Sequence, residues 1–194
     1  MRKIGLTGGI GCGKTTVLQQ FRELGIPCFV ADEWAKTYYD DPDFCHSIRQ
    51  LFGNSVFDTN GSVDKKQLAY LVFGDEEKLS QLNALIHPRV MDDFAQWCSQ
   101  QTADYVIFES AILYEHHLDE QMDAVIAVYL DKAERIKRLQ LRDQASIKAI
   151  EDRMRHQLSA ETKMDRADYV ILNYEGNPRR RQVAHIDAML RSLP

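Results

Sequence analysis

Five short apolar runs punctuate the chain: Ile4–Leu6, Cys28–Ala31, Tyr105–Glu109, Ala124–Leu130 and Tyr169–Asn173. They are rich in Val, Ile, Tyr and Phe, and mostly continuous rather than alternating. That is the pattern of strands covered on both faces. Helical stretches separate them, which predicts an α/β fold with a central parallel five-stranded sheet flanked by helices. Ligands of such sheets bind beyond the carboxyl ends of the strands. The residues that end each run are therefore the first candidates for chemistry.

Two intervals between strands are too long for a single crossover helix. The first, about Glu33 to Asp104, mixes polar and apolar helical segments with a turn at Asp58-Thr59-Asn60-Gly61, and reads as an inserted subdomain. The second runs from Asp131 to Arg166. Asp131-Lys132-Ala133-Glu134 has the form of a capped helix start, and Ile147, Ile150, Met154 and Leu158 mark an amphipathic helix. The organisation predicted is one domain over 1–194. Its core is 1–32, 101–130 and 166–194, with a helical insert over 33–100 and a helical lid over 131–165.

Composition narrows the partners. The chain has 194 residues, 44% of them hydrophobic, enough for a real core. Acidic residues outnumber basic ones, 29 to 24, for a net charge of −5, which argues against a general nucleic-acid binder. The Arg179–Arg181 cluster follows Asn177-Pro178 at an expected helix start and reads as a solvated face. No run is long enough for a membrane span, and the N-terminal run is too short for a signal peptide. Cys12, Cys28, Cys45 and Cys98 form no C-x-x-C pair or metal spacing, which suits a reducing cytoplasm.

The chemistry begins at Gly8–Thr15, where Gly8-Gly9-Ile10-Gly11-Cys12-Gly13-Lys14-Thr15 fits G-x-x-x-x-G-K-[ST]. The Ile4–Leu6 run leads in. A helix leads out, with Val17, Leu18, Phe21 and Leu24 on one face and Gly25 placed to stop it. Glycines let successive N–H groups turn toward one anion, and the helix adds the positive end of its dipole. Lys14 supplies a mobile cation for the outer phosphates, and the Thr15 hydroxyl suits Mg²⁺. Cys12 in this loop is either a thiol with a lowered pKa, open to oxidation, or a small residue filling a serine-like slot.

Asp32 follows the second run and faces the ligand crevice in this scheme. It can take a proton from an attacking hydroxyl, orient Mg²⁺, or cap the helix that begins at Glu33. Arg135, Arg138 and Arg142 share one helix face. Beside a phosphate loop they suggest a clamp on a transferring phosphoryl group; otherwise they form a basic face paired with Glu134 and Asp143. His87-Pro88 predicts a helix junction at His87, because proline disfavours helix in the residue before it.

With these features assembled, the chain resembles the dephospho-coenzyme A kinase family of P-loop kinases. Leu6–Thr16 looks like that family's loop, and Val30-Ala31-Asp32 is similar to its acidic motif. Leu82–Pro88 resembles its His-Pro motif, Lys137–Asp143 its lid, and Arg166–Ile171 with Asn173 its last strand. The resemblance implies ATP-dependent phosphorylation of the ribose 3′-hydroxyl of dephospho-coenzyme A, the last step of coenzyme A synthesis. It implies Asp32 as general base or hydroxyl-orienting group, with Lys14, Arg138 and Arg142 neutralising the transferring phosphoryl. ATP would lie on Gly8, Gly9, Gly11, Cys12, Gly13, Lys14, Thr15 and Thr16, with Arg142 and Asn173, the last near the adenine. Mg²⁺ would sit at Thr15. Thr7, Asp32, Lys65, His87, Pro88 and Glu115 would serve the acceptor. A cytoplasmic monomer or weak homo-oligomer, without nucleic-acid or membrane partners, completes the expectation.

The chain departs from the family pattern in three places. Ala111 stands where the family often has proline, and Lys65 where it usually has arginine, which loses a bidentate fork. Tyr174-Glu175-Gly176 makes the final turn one residue longer. Three other readings stay open. A nucleoside monophosphate kinase shares the loop and the lid. A GTPase switch is suggested by Asp58–Gly61 and Thr162–Asp165, although the latter precedes a strand instead of following one. A non-enzymatic ATP-binding module would not need Asp32 or the arginine stripe.

Overall fold

A computed structural model describes residues 1–192 of the chain. In chain order it runs β1 (Arg2–Thr7), α1 (Lys14–Glu23), β2 (Cys28–Val30), α2 (Ala31–Thr37), α3 (Pro42–Phe52), α4 (Lys65–Phe73) and α5 (Glu76–Ser99). It continues β3 (Tyr105–Glu109), β4 (Ala124–Tyr129), α6 (Lys132–Asp143), α7 (Ile147–Arg155), α8 (Ala160–Arg166), β5 (Tyr169–Leu172) and α9 (Arg179–Ser192). The chain divides into two compact units, one of Met1–Val30 with Gln101–Pro194, the other Ala31–Gln100.

The first unit carries a five-stranded parallel sheet in the order β2-β3-β1-β4-β5. Each apolar run of the sequence is one of these strands, with ends shifted by at most two residues. Their continuity follows from burial: all five residues of β3 are buried, as are Ile4, Leu6, Ile126 and Val128. Val17, Leu18 and Phe21 of α1, and Val183, Ile186 and Leu190 of α9, close over Ile4, Leu6, Ile107, Ile126 and Ile171 in one cluster. Truncating Phe21, fully buried there, to alanine costs about 3–5 kcal/mol.

This strand order creates the crevice. The chain leaves β1 for β2 on one side of the sheet, and leaves β3 for β4 on the other. The connections after β1 and β3 thus diverge, and in parallel sheets ligands collect at such a switch point. Leu6 is in register with Glu109, so the Gly8 loop and the end of β3 stand side by side.

The second unit is helical. Aspartates start three of its helices: Asp41 accepts from the N–H groups of Asp43 and Phe44, Asp64 from Lys66 and Gln67, and Asp75 from Glu77 and Lys78. The Arg89 guanidinium lies over the Tyr38 ring at 4.8 Å and pairs with Asp41. The Phe44 N–H and Arg89 both hold the Asp41 carboxyl below its usual range. Tyr38 donates its hydroxyl to Asp93 at 2.6 Å.

The predicted break at His87 does not occur. Pro88 lies inside α5, which runs 24 residues without interruption. Leu82 before it and Val90, Phe94 and Cys98 after it are all buried, whereas Pro88 points outward. Burial along that stripe outweighs the hydrogen bond that proline removes. Although α5 is long, among the described residues no helix is long and apolar enough to cross a membrane.

Candidate active site

The loop after β1 is shaped by its glycines at two decisive points. Gly13 caps α1 with φ 91°, a left-handed conformation that a side chain would strain. A Cβ there would also collide with the Asn173 amide, and one at Gly9 with the Arg135 guanidinium. Lys14 opens α1 and curls back, donating from Nζ to the Gly8 carbonyl at 3.0 Å. Its Nζ lies 3.7 Å from Glu109 Oε1, both side chains being largely buried. Thr15 and Thr16 are exposed in the first turn of α1, and no side-chain partner occupies the Thr15 hydroxyl among the described residues.

Groups distant in sequence hold this loop from outside. Asn173, 1% exposed, donates from Nδ2 to the Cys12 carbonyl at 2.6 Å and accepts from Arg179 at 2.7 Å. Its own carbonyl takes a hydrogen bond from Arg138 at 2.9 Å, and its N–H donates to Tyr129. Asn173 thus braces the loop through both ends of its side-chain amide. Arg179 is likewise drawn inward, contrary to the solvated face expected, while Arg180 and Arg181 stay exposed. Cys12 is fully buried in the core cluster, which accords with a small residue filling a serine-like slot.

The arginine stripe divides. α6 starts at Asp131 as expected, with its carboxylate accepting from the Glu134 N–H. Its first half packs on the loop: Arg135 is buried against Gly9, with Nη2 3.8 Å from Met154 Sδ, and Leu139 faces Gly11. Arg138 is half-buried on Asn173. Arg142, one turn on, is exposed and forms a two-pronged pair with Asp143 at 2.6 and 3.1 Å. Arg153 of α7 reaches the same carboxylate at 2.9 Å, and the two guanidiniums hold the Asp143 pKa down at about 2. The three arginines of the stripe thus rest on three different partners, because only the first turns of α6 lie on the loop.

Two expected acceptor residues are internal. Thr7 ends β1 fully buried, with no partner for its hydroxyl among the described residues. Glu115 accepts from the Leu158 N–H at 2.7 Å and pairs with Lys163 at 2.7 Å. Lys163 is fully buried and also donates to the Ala111 carbonyl; burial pushes its pKa down against the pull of Glu115. The Glu115 carboxylate thus serves as the counter-charge of a buried lysine.

In the helical unit, Asp32 falls in the first turn of α2 and is exposed. The strand stops at Val30 and the helix begins at Ala31, so Asp32 stands one position inside the helix and does not cap it. An acid there is favoured by the helix dipole. His87 is half-buried within α5 beside exposed Pro88. Lys65 opens α4, exposed, with Nζ 5.0 Å from the centre of the Tyr39 ring.

The donors near the loop fit Mg²⁺ in type: an exposed threonine hydroxyl and the Glu109 carboxylate are hard oxygen ligands. Glu109 was missed by sequence reading, although an acid closing a buried strand beside a phosphate loop is a usable signal. Gln157, whose Oε1 accepts from the Ile10 N–H at 2.9 Å, carried none. Neither GTPase fragment has the required setting: Asp58–Gly61 is a turn between helical segments, and Thr162–Asp165 lies within α8.

Comparison with known proteins places the chain in one family. A family model described as dephospho-CoA kinase matches residues 2–178. A dephospho-CoA kinase of Bacteroides fragilis is 37% identical over 190 residues, 97% of this chain and 92% of that one. The crystal structure of TT1252 from Thermus thermophilus superposes with a TM-score of 0.87 at 29% identity, covering 100% of this chain and 98% of that one. A dephospho-CoA kinase from Campylobacter jejuni shares the fold, with a TM-score of 0.67 at 22% identity over 97% and 96% of the two chains.

Proposed function

The chain belongs to the dephospho-CoA kinase family, and from that premise we propose how its residues divide the work. The activity is ATP-dependent phosphorylation of dephospho-coenzyme A in coenzyme A biosynthesis. The ribose 3′-hydroxyl is the acceptor atom. The observation that carries the reading is the loop Gly8–Thr15, with Lys14 held between the Gly8 carbonyl and Glu109.

The backbone N–H groups of the loop hold the inner phosphates of ATP, and Lys14 exchanges Glu109 for the outer ones. Little covalent chemistry falls to the protein in phosphoryl transfer; positioning and charge neutralisation dominate. Arg138, already braced on Asn173, supplies a fixed positive charge. Arg142 must leave Asp143 to join it, so that clamp closes only when a stronger anion than the carboxylate is present. Asp32 accepts the proton of the acceptor hydroxyl or orients it for in-line attack. Lys65 and the His87-Pro88 region serve the remainder of the acceptor.

Thr15, with Glu109 acting through water, would hold Mg²⁺. The ion would draw charge from the phosphate oxygens as the γ-phosphoryl departs. A cytoplasmic enzyme without nucleic-acid partners, monomeric or weakly associated, accords with four free cysteines and a net charge of −5. The test is ADP production coupled to dephospho-coenzyme A, with mass spectrometry of the product. Phosphorylation of AMP or CMP with dephospho-coenzyme A ignored would refute the reading.

A further inference from the structure

The segment between α7 and α8 enters the phosphate loop at one point. Gln157 accepts the Ile10 N–H on Oε1 at 2.9 Å. The donor is a backbone N–H, so the side-chain atom facing it must be the oxygen, which fixes the orientation of the carboxamide. Its other end, Nε2, has no hydrogen-bond partner among the described residues. Two donor hydrogens are thereby carried on a group whose oxygen is bonded to the third residue of the loop.

The attachment is firm on both sides. The Gln157 N–H donates to the Met154 carbonyl, and Met154 Sδ contacts Arg135, which packs on Gly9. The next residue, Leu158, donates its N–H to Glu115, itself paired with Lys163. Ser159 then caps α8. A glutamine serving only to pin Ile10 would need its oxygen alone. Here a neutral donor is also offered beside a loop that cradles phosphate.

We propose that Gln157 is a catalytic residue of the phosphoryl transfer. Its Oε1 is held by Ile10, and its Nε2 donates to an oxygen of the γ-phosphoryl group of ATP as charge builds there. A neutral donor suits this position because Lys14 and the arginines already supply the positive charge. A preorganised donor to developing negative charge contributes on the order of 10²–10³ in kcat. The inference rests on the kinase reading above, which wild-type turnover of dephospho-coenzyme A tests separately.

Gln157→Glu separates the two roles. It keeps the acceptor for Ile10 and nearly the same shape, but replaces the donor with an anionic oxygen. Gln157→Met removes both. The expected result is a fall in kcat of at least about tenfold in Gln157→Glu, no smaller than in Gln157→Met, with ADP affinity kept within about threefold. A Gln157→Glu enzyme retaining more than about a tenth of wild-type kcat would overturn the proposal, because a pinning role survives that change. A second measurement uses the unaltered protein. The Gln157 side-chain amide signal should shift in NMR with a non-hydrolysable ATP analogue and not with ADP. Identical signals in the two complexes would also overturn it.

Discussion

Lys163→Met exposes the ion pair beneath the phosphate loop to direct measurement. Methionine keeps the unbranched stem and removes the charge, so packing changes little. Glu115 is then left at 12% side-chain exposure with one charge partner gone, retaining only the Leu158 N–H. Its Oε2 has no hydrogen-bond partner among the described residues. Breaking a buried pair from one side costs about 3–5 kcal/mol. For a chain of this length each kcal/mol lowers Tm by about 2–4 °C, which gives a fall of roughly 6–20 °C. The double variant Glu115→Gln/Lys163→Met removes the stranded charge and should recover part of the loss, a coupling of about 0.5–3 kcal/mol. The probe matters. Both tryptophans, Trp34 and Trp97, lie within Ala31–Gln100, so their fluorescence reports the other unit. Far-UV circular dichroism, with hydrogen exchange of the β3 amides, follows the unit that contains the pair. A loss below about 1 kcal/mol in Lys163→Met, or strict additivity in the double variant, would refute the reasoning.

Asp32→Asn should lower kcat by about 10²–10⁴ with ATP affinity unchanged, measured by steady-state turnover and nucleotide titration; near-normal turnover would reduce Asp32 to a favourable charge at the start of α2. Asp143, held at about 2 by Arg142 and Arg153, should titrate near that value in carboxyl ¹³C NMR. Its folded pKa lies below the unfolded 3.8, so its contribution to stability is complete above 3.8 and is lost as pH falls from there toward 2. A midpoint near 3.8 would mean that the two arginines do not hold it in solution. Amides of 141–149 should exchange with solvent faster than those of 135–139, read by mass spectrometry; equal protection would contradict the anchoring inferred for the first half of α6.

What the sequence disclosed, it disclosed through local physics. The strands were legible because a strand buried on both faces must be apolar throughout, and five such runs stood out. The Asp131 cap and the glycine loop were legible for the same reason, since their hydrogen bonds close within a few residues. Pro88 misled because the proline rule is local, whereas the Leu82, Val90, Phe94 stripe that keeps α5 intact is tertiary. Glu115 and Asn173 were singled out as special, and the contacts each makes within the protein, with Lys163 and with Cys12, were not foreseen. A carboxylate or amide can serve a substrate or the protein's own backbone. Whether Asn173 meets Cys12 is decided by strand register, 161 residues apart in sequence. The pairing of Lys14 with Glu109 and that of Ile10 with Gln157 are long-range in the same way, although Glu109 by itself carried a signal at the end of its strand.

Those long-range contacts also bear on how the region after β4 can move. Arg135 lies on Gly9, Arg138 on Asn173, and Gln157 on Ile10, so both ends of 135–157 are attached to the loop itself. Between them, Leu141, Arg142 and Ile147 are exposed, and Gln144 breaks the helix in a left-handed conformation at φ 51°. Among the described residues, the charges binding α6 to α7 across that break are those of Asp143 with Arg153 and of Lys132 with Glu151, all partly exposed and therefore weak. A closing motion consequently costs least at 141–153, where Arg142 and Arg153 are carried. It costs most at the roots, where the phosphate loop would have to be disturbed. In the mechanism proposed above, phosphate binding and arginine delivery are therefore separable: the loop is formed in advance by its braces, and Arg142 at the tip exchanges the Asp143 carboxylate for the transferring phosphoryl.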